Sequence, residues 1–445
     1  MAWCVSNMDN RVAAERAQLI REQLPEGGLF QGHKWRIATS PFTLPSTLVK
    51  DLEKLGRVLL RFYQTANLLY HHSCSGKLPD WIAHWLNMGK PDSLINIQGE
   101  TKLKSALPNV IRPDILLTEN GWSITELDSV PGGIGLTAWL NRAYTNVGFE
   151  VIGGTSGMTK GFDGIFRPDG NVRVMVSDES ATYQPEMEWI CSALDSRFSV
   201  HETADACWSD GDSVYRFFEL FDLKNISCWN KLQDDMLSGQ IILTPPPKPF
   251  LEEKMLLALL WNGNLTEFWQ RELGGGFFRL MRDHVPRGWV MDPAPLPPHA
   301  ALPGLDLTSW VQLRGLSQRE RSLVIKKSGF SNDAWGARSV HMGIDLPQAE
   351  WAEAVDQALD EFDQSPFILQ QFHKPRRVEQ EWFDFEADES RIMNGRVRLC
   401  PYYFVGHREK PEVKLGGVMA TVCPADKKII HGMSSAILAP CSVSA

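Results

Sequence analysis

The chain has 445 residues, of which 43% are hydrophobic and 22% charged, a composition ordinary for a globular protein of two or three packed units. Its formal net charge of −9 argues against nucleic acid or an anionic membrane surface as the main partner. We find no run of about twenty apolar residues, no basic-then-apolar leader and no Cys-x-x-Cys pair among the eight cysteines, and therefore expect a cytoplasmic protein with reduced thiols.

The first part of the chain has helical periodicity. Apolar residues recur at helical spacing from Val12 to Leu24 and from Leu48 to Leu69, and a shorter helix is predicted from Pro79 to Leu86. We expect residues 1–105 to form a mainly helical N-terminal region.

A predicted hairpin follows, and it carries an arginine and three carboxylates. The apolar run after Arg112-Pro-Asp114 ends at a turn signal, and the next segment alternates up to Glu126-Leu-Asp128. Alternation places Arg112 and Asp114 on one face and Glu126 and Asp128 on one face, so folding the hairpin brings the two pairs together. Crowded carboxylates repel unless a cation neutralises them, and Mg²⁺ with nucleotide phosphates is one such cation. A surface hairpin with a few acids and one salt bridge explains the same spacing.

Strands and helices alternate between the hairpin and residue 240. A glycine turn at 132–135 precedes a predicted helix from Leu136 to Tyr144. Strands are predicted at Val172–Val176, at 198–201 and at 241–244, with a helix at 184–194 and a strand-like or helical run at 213–221. This alternation predicts a small parallel α/β layer, which we assign together with the hairpin to a domain at 106–240.

The last part of the chain has the pattern of an α+β unit. A helix is predicted from Phe250 to Trp261, a turn at 274–276, and a Pro- and Ala-rich loop at 292–304. The remaining predicted elements are a helix at 348–362 and strands at 323–326, 367–372, 396–405 and 417–422. We assign residues 241–445 to a third domain.

Several basic residues could hold phosphates. Lys326 ends a strand and is followed by a polar loop that contains Gly329 and Gly336, whose backbone N–H groups could close over oxygens. Lys248 follows three prolines that make the approach rigid. Arg396 and Arg398 lie two residues apart on a predicted strand and therefore project from the same face. Arg398 could stabilise a transferring phosphoryl group. Each also fits an ordinary solvated charge, and neither a P-loop nor a Gly-x-Gly-x-x-Gly turn is present.

Taken in order, these blocks resemble the ATP-grasp ligases of the glutathionylspermidine synthetase group and, more distantly, eukaryotic glutathione synthetase. Arg112 and Asp114 match an Arg-x-Asp pair of that group, and Glu126 matches the first residue of its Glu-x-Asn pair. Lys248 resembles the lysine of a Pro-x-x-Lys block that precedes a Leu-Trp pair. The segments around Lys326, Phe367–Phe372 and Gly416–Val418 resemble later blocks, so the resemblance spans roughly residues 108 to 440.

The resemblance implies an ATP-grasp fold behind a small α/β layer, and an ATP- and Mg²⁺-dependent ligase that joins a carboxylate and an amine through an acyl phosphate. The substrates would be small molecules, such as an amino acid, a peptide or a polyamine, without nucleic acid or membrane, and the oligomeric state stays open. The implied site residues are Asp114, Glu126 and Asp128 as Mg²⁺ ligands, Arg112 and Arg398 as catalytic groups, and Lys248, Lys326, Ser328, Gly329, Gly336, Gln370, Gln371 and Phe372 around the nucleotide, with residues 328–338 as a lid.

Two departures from the family pattern leave other functions open. Asp128 replaces asparagine, and Met419 follows the late glycine pair where the family has an arginine, for which Arg398 is the proposed substitute. A nucleotide-binding scaffold or sensor without ligase activity is the alternative, and a phosphotransferase that stops at the phosphorylated product is a third possibility.

Overall fold

The structure is a computed structural model that describes residues 10–32, 34–298, 300–334, 338–407, 411–427, 430 and 434–444. It is a mixed α/β fold built on three sheets. The helices are Asn10–Glu22, Gly28–Gln31, Ser46–Cys74, Trp81–Asn87, Asp92–Gly99, Ile134–Asn146, Gly157–Gly164, Gln184–Ser192, Trp229–Ser238, Met255–Leu259, Thr266–Leu273, Gly275–His284 and Gln348–Asp360. Among the described residues, none of these helices has both the length and the apolar character needed to cross a bilayer.

The largest sheet, called here the central sheet, combines distant parts of the chain. Its described strands are Arg36–Ile37, Phe42–Leu44, Val110–Thr118, Gly121–Asp128, Val378–Asp384, Glu389–Val405, Val413–Pro424 and Ile437–Val443. The long strand Glu389–Val405 pairs with Val110–Thr118 on one side and Val413–Pro424 on the other. This pairing places the predicted hairpin at one edge of the sheet, beside the C-terminal strands.

Two smaller sheets complete the architecture. The parallel sheet consists of Phe198–Glu202, Val172–Val176, Ser213–Phe217 and Ile242–Thr244 in that order, as the alternation of strands and helices predicted. The hinge sheet is antiparallel and consists of Val340–Met342, Leu323–Lys327, Phe367–Gln371 and Gly288–Val290.

The long helix Ser46–Cys74 packs its apolar face on the central sheet. Gly56 lets the helix backbone approach closely, because an added Cβ would lie 2.7 Å from the Tyr403 ring. The Tyr403 hydroxyl donates to the carbonyl of Leu52 at 2.7 Å. The main hydrophobic core therefore joins the N-terminal helical region to C-terminal strands.

The segment after Lys248 differs from its prediction as one continuous helix. A 3₁₀ turn at Pro249–Glu252 is followed by extended Glu253, and the helix begins only at Met255. Ser328 explains the break: its carbonyl accepts from the Lys254 N–H at 3.0 Å and its hydroxyl from the Met255 N–H at 2.9 Å. The predicted glycine turn at 274–276 is likewise confined to Gly274, because Gly275 begins a helix.

Candidate active site

The hairpin has the register that brings its charged residues together. Arg112 lies opposite Asp128 and Asp114 lies opposite Glu126, and a bulge between Asp114 and Ile115 leaves Thr125 without an opposite residue. Bulges re-aim neighbouring side chains, and here Thr125, Glu126 and Asp128 all line one cleft. Alternation and the turn at Gly121 are therefore enough to assemble the first half of the site.

Arg112 neutralises two of the carboxylates. Its Nε lies 3.3 Å from Asp114 Oδ1, its Nη2 lies 3.0 Å from Asp128 Oδ2, and its Nη1 donates to the carbonyl of Gly132 at 3.0 Å. Burial alone would lower the pKa of Arg112, but Asp114 and Asp128 raise it well above its ordinary value. Burial raises the pKa of Asp128 in spite of Arg112. The guanidinium is thus a fixed positive charge at the wall of the cleft.

A second arginine reaches the same hairpin from the long C-terminal strand. Arg398 Nη1 lies 3.0 Å from Asp114 Oδ2. Since Arg398 pairs across the sheet with Leu116, strand register places it there. Asp114 therefore lies between two guanidinium groups.

The opposite wall supplies two lysines. Lys326 donates from Nζ to Gln370 Oε1 at 2.9 Å and to the carbonyl of Thr125 at 3.2 Å. Lys254 Nζ lies 3.0 Å from Glu126 Oε1. Burial lowers the pKa of Lys326. Burial alone would raise the pKa of Glu126, but the charges of Lys254 and Lys326 outweigh it and leave that pKa below its usual value. Acidic hairpin and basic late segments thus meet in one cleft.

The three predicted magnesium ligands do not form a metal site in this arrangement. Each carboxylate contacts a basic side chain: Asp114 and Asp128 contact Arg112, and Glu126 contacts Lys254. Across the described ranges, no group of three or more His, Cys, Asp or Glu side chains could hold a metal ion. The residues as placed do not fit the predicted ion.

Most of the predicted site residues line this cleft. The end of the hinge-sheet strand Phe367–Gln371 contributes Gln370 and Gln371, and Phe372 follows directly. The loop after Lys326 contributes Gly329. Gly336 and part of the predicted lid at 328–338 lie outside the described residues. The members of the predicted set that line the cleft are Arg112, Asp114, Glu126, Asp128, Lys326, Gly329, Gln370, Gln371, Phe372 and Arg398.

Lys248 lies elsewhere and makes structural contacts. Its Nζ donates to Asn67 Oδ1 at 2.9 Å and to the carbonyls of Lys104 and Ala106 at 3.1 and 2.9 Å. Burial lowers the pKa of Lys248 to about 7. The lysine that lines the cleft is Lys254, six residues later. The two lysines differ in their position relative to the next α-helix, because Lys254 directly precedes the helix Met255–Leu259.

Ser328 also lies outside the lining of the cleft, beneath the loop that follows Lys326. Its hydroxyl donates to the Glu253 carboxylate, and Glu253 in turn lies 2.5 Å from Lys90 Nζ. An added Cβ at Gly329 would lie 2.3 Å from the Glu253 carboxylate. Ser328 therefore anchors the start of the loop.

Three further polar residues of the cleft were not predicted from the sequence. Glu219 follows the strand Ser213–Phe217, Glu252 ends the turn at 249–252, and His373 follows the hinge-sheet strand. His373 Nδ1 lies 3.0 Å from Ser123 Oγ, and burial lowers the pKa of His373. No local motif marks any of the three, because tertiary packing alone brings them to the cleft.

One comparison with known proteins, at the level of structure, bears on the fold. No protein-family profile matches the chain, and neither does any curated protein sequence. The structure is similar to that of a glutathione synthetase-like effector from Globodera pallida in its apo form, with a TM-score of 0.61, 11% identity and 100% of both chains covered. A structure provisionally named gamma-glutamylcysteine synthetase, from Methylobacillus flagellatus, has a TM-score of 0.34 at 11% identity, covering 79% of this chain and 84% of the other. The predicted α/β, ATP-grasp-type fold class is confirmed.

Proposed function

We propose that this protein is an ATP-dependent carboxylate–amine ligase that forms ADP. The observation that carries the proposal is the single cleft in which the hairpin charges meet Lys254, Lys326 and the hinge-sheet strand. The fold shared with a glutathione synthetase-like effector supports it. The narrower resemblance to the glutathionylspermidine synthetase group belongs to the proposal as well, and Mg²⁺ enters it only as the counter-ion that accompanies ATP, not as an ion held by the three hairpin carboxylates.

The proposed roles follow from charge and position. Lys254 and Lys326 would hold nucleotide phosphates, and the segment Gln370–Phe372 would contact the base. A substrate carboxylate oxygen would attack the terminal phosphorus, releasing ADP, and Arg112 with Arg398 would offset the charge of the transferred phosphoryl group. The amine would then attack the acyl carbon, with phosphate as the leaving group. Fixed charges in a cleft with limited access to water favour both steps.

The test is ADP release by the whole chain with ATP, Mg²⁺ and pooled amino acids, small peptides and polyamines, with mass spectrometry of the products. We expect ADP formation that depends on both an acid and an amine, and an amide product. Arg112→Ala should lower the rate by about 10²–10³, the effect of removing one preorganised charge partner. Wild-type rates in Arg112→Ala would count against the proposal, and a phosphorylated acid as the final product would indicate a phosphotransferase.

One observation favours a second function, nucleotide binding without ligase activity. The carboxylates of the hairpin are already paired with Arg112, Arg398 and Lys254. A cleft neutralised in this way could bind a nucleotide without assembling a reactive centre. Tight ATP binding by the wild-type chain, together with no ADP from any pool, would select this scaffold or sensor function over the ligase.

A further inference from the structure

One end of the cleft is acidic in a way that the proposed phosphate contacts do not explain. Asp128, Glu219 and Glu252 all line it. Glu219 lies two residues beyond the parallel-sheet strand Ser213–Phe217, at the carboxyl end of that strand, where open α/β sheets place ligands. Glu219 therefore reaches the cleft from the parallel sheet, and Glu252 from the turn at Pro249–Glu252, two residues before Lys254.

Glu219 differs from its two neighbours in having no partner. Asp128 is paired with Arg112, and Glu252 is paired with Arg216. Glu219 is only 8% exposed, yet no described residue gives its carboxylate a hydrogen bond or an ion pair. Burial, Glu252 and Asp128 raise the pKa of Glu219 well above its ordinary value, although the charges of Arg216 and Lys254 act in the opposite direction. A buried carboxylate without a partner is costly for folding, so its position is better explained by a ligand than by stability.

The geometry indicates an ammonium group in preference to a metal ion. A metal ion needs several oxygens that converge at about 2.0–2.6 Å, and the described residues contain no such group of three. An ammonium group donates up to three hydrogen bonds at ordinary donor–acceptor distances and accepts looser geometry. Guanidinium groups already hold one oxygen each of Asp128 and Glu252, which leaves Glu219 as the open acceptor among them.

We propose that Glu219, flanked by Glu252 and Asp128, binds the protonated amine of a primary-amine ligand at this end of the cleft. The assignment of that ligand as the amine substrate rests on the proposed ligase function. Glu219 would hold the nitrogen on the side of the cleft opposite Lys326. The acidic end would then bind cationic amines more tightly than neutral or anionic molecules of the same size.

The test measures binding directly, in the full chain and without nucleotide. The probes are ethanolamine and glycinamide, with ethylene glycol as the neutral counterpart and Mg²⁺ as the metal. The variant is Glu219→Gln, which keeps the shape and removes the charge. The matched control is Asp222→Asn, which removes an equally buried charge three residues away that does not line the cleft. Calorimetry or ligand-observed NMR gives the dissociation constants.

We expect the wild type and Asp222→Asn to bind both amines alike, and Glu219→Gln to bind them at least tenfold more weakly. Ethylene glycol should not bind. Absence of amine binding to the wild type, equal binding to Glu219→Gln, or binding of Mg²⁺ that depends on Glu219 would each overturn the proposal. The melting temperature of Glu219→Gln should equal or exceed that of the wild type, because the variant removes a carboxyl group whose charged form is disfavoured by burial.

Failure of this proposal can be distinguished from failure of the ligase function. Amine binding without any ADP formation would leave the acidic end as a binding site and refute the ligase. ADP formation with an unchanged KM for the amine in Glu219→Gln would support the ligase and refute the role of Glu219. The binding measurement needs no knowledge of the acid substrate.

Discussion

Two lysines six residues apart, Lys248 and Lys254, have different environments. Both precede the apolar run that ends at Trp261, so sequence pattern alone does not distinguish them. Lys248 Nζ is held by Asn67 Oδ1 and two backbone carbonyls, whereas Lys254 Nζ contacts Glu126 in the cleft. The distinction depends on where the helix begins, which Ser328 decides from a distant part of the chain.

Substitution of the two lysines should separate chemistry from stability. Lys254→Met removes a charge from the cleft and should lower the rate of ADP formation by about 10²–10³ with little change in melting temperature. Lys248→Met removes the donor to Asn67 Oδ1 and to the carbonyl of Ala106, while the carbonyl of Lys104 still accepts from Asn67 Nδ2, and should lower stability by roughly 1–3 kcal/mol. The measurements are initial rates and thermal unfolding. The reverse pattern, with Lys248→Met losing phosphate binding at full stability, would restore the assignment made from the sequence.

Asp114 should contribute strongly to stability, because it is buried on a strand that is paired on both sides. Its carboxylate contacts the guanidinium groups of Arg112 and Arg398, both buried. Asp114→Asn removes the carboxylate that the two guanidinium groups share and leaves Asp128 as the ion-pair partner of Arg112, so we expect a loss of about 3 kcal/mol in the free energy of unfolding. Glu119→Gln at the exposed turn of the same hairpin is the control and should change it by less than about 0.5 kcal/mol. Equal effects of the two variants in urea unfolding would contradict this account.

At the scale of elements, the start of the helix Ile134–Asn146 is stabilised by a carboxylate from another helix. Glu186 accepts from the N–H groups of Gly133 at 2.6 Å and Leu136 at 2.9 Å. Gly133 has a φ of 87°, which favours glycine, and the Gly132 carbonyl accepts from Arg112 and Tyr402. The glycine turn at 132–135 therefore contacts the protein's own side chains, and its Gly132 carbonyl holds the Arg112 side chain in place.

Glu186 makes stability depend on pH. Burial raises the pKa of Glu186 to about 7 in the folded state in spite of its hydrogen bonds. The folded state therefore binds a proton more tightly than the unfolded chain, so this contribution is present at low pH and is lost as the pH rises through about 7. It should amount to roughly 2–3 kcal/mol. Glu186→Gln should remove this part of the pH dependence between pH 5 and 8, measured as the free energy of unfolding; an unchanged profile would place the titration on another group.

Local sequence patterns predicted individual helices and strands better than the pairing of strands that are distant in the chain. The hairpin, the strand Val172–Val176 and the helix from residue 46 follow from alternation, turn residues and helical spacing. The pairing of Arg36–Ile37 with Ile437–Val443 spans four hundred residues, and no local period predicts it. The cleft was predictable where a motif marks a strand, as at Arg112, and unpredictable where packing alone supplies a residue, as at Glu219.

At the scale of the whole molecule, contacts join the three predicted domains. The central sheet combines strands from residues 36–44, 110–128 and 378–443. Lys90, from the helical region, lies 2.5 Å from Glu253, which accepts from Ser328. Both charged side chains are almost fully buried. The boundaries proposed at 105 and 240 stay a prediction, but these contacts imply that the parts unfold together.

The pair Lys90–Glu253 provides the test of that coupling. Lys90→Met leaves the Glu253 carboxylate buried without its cation and should cost about 3–5 kcal/mol, whereas adding Glu253→Gln should recover part of the loss. Because Glu253 adjoins Lys254 and contacts Ser328, Lys90→Met should also weaken nucleotide binding. Urea unfolding followed by tryptophan fluorescence and by circular dichroism should give one coincident transition that shifts in the variant. Two transitions, with only one sensitive to Lys90→Met, would mean that the domains unfold independently.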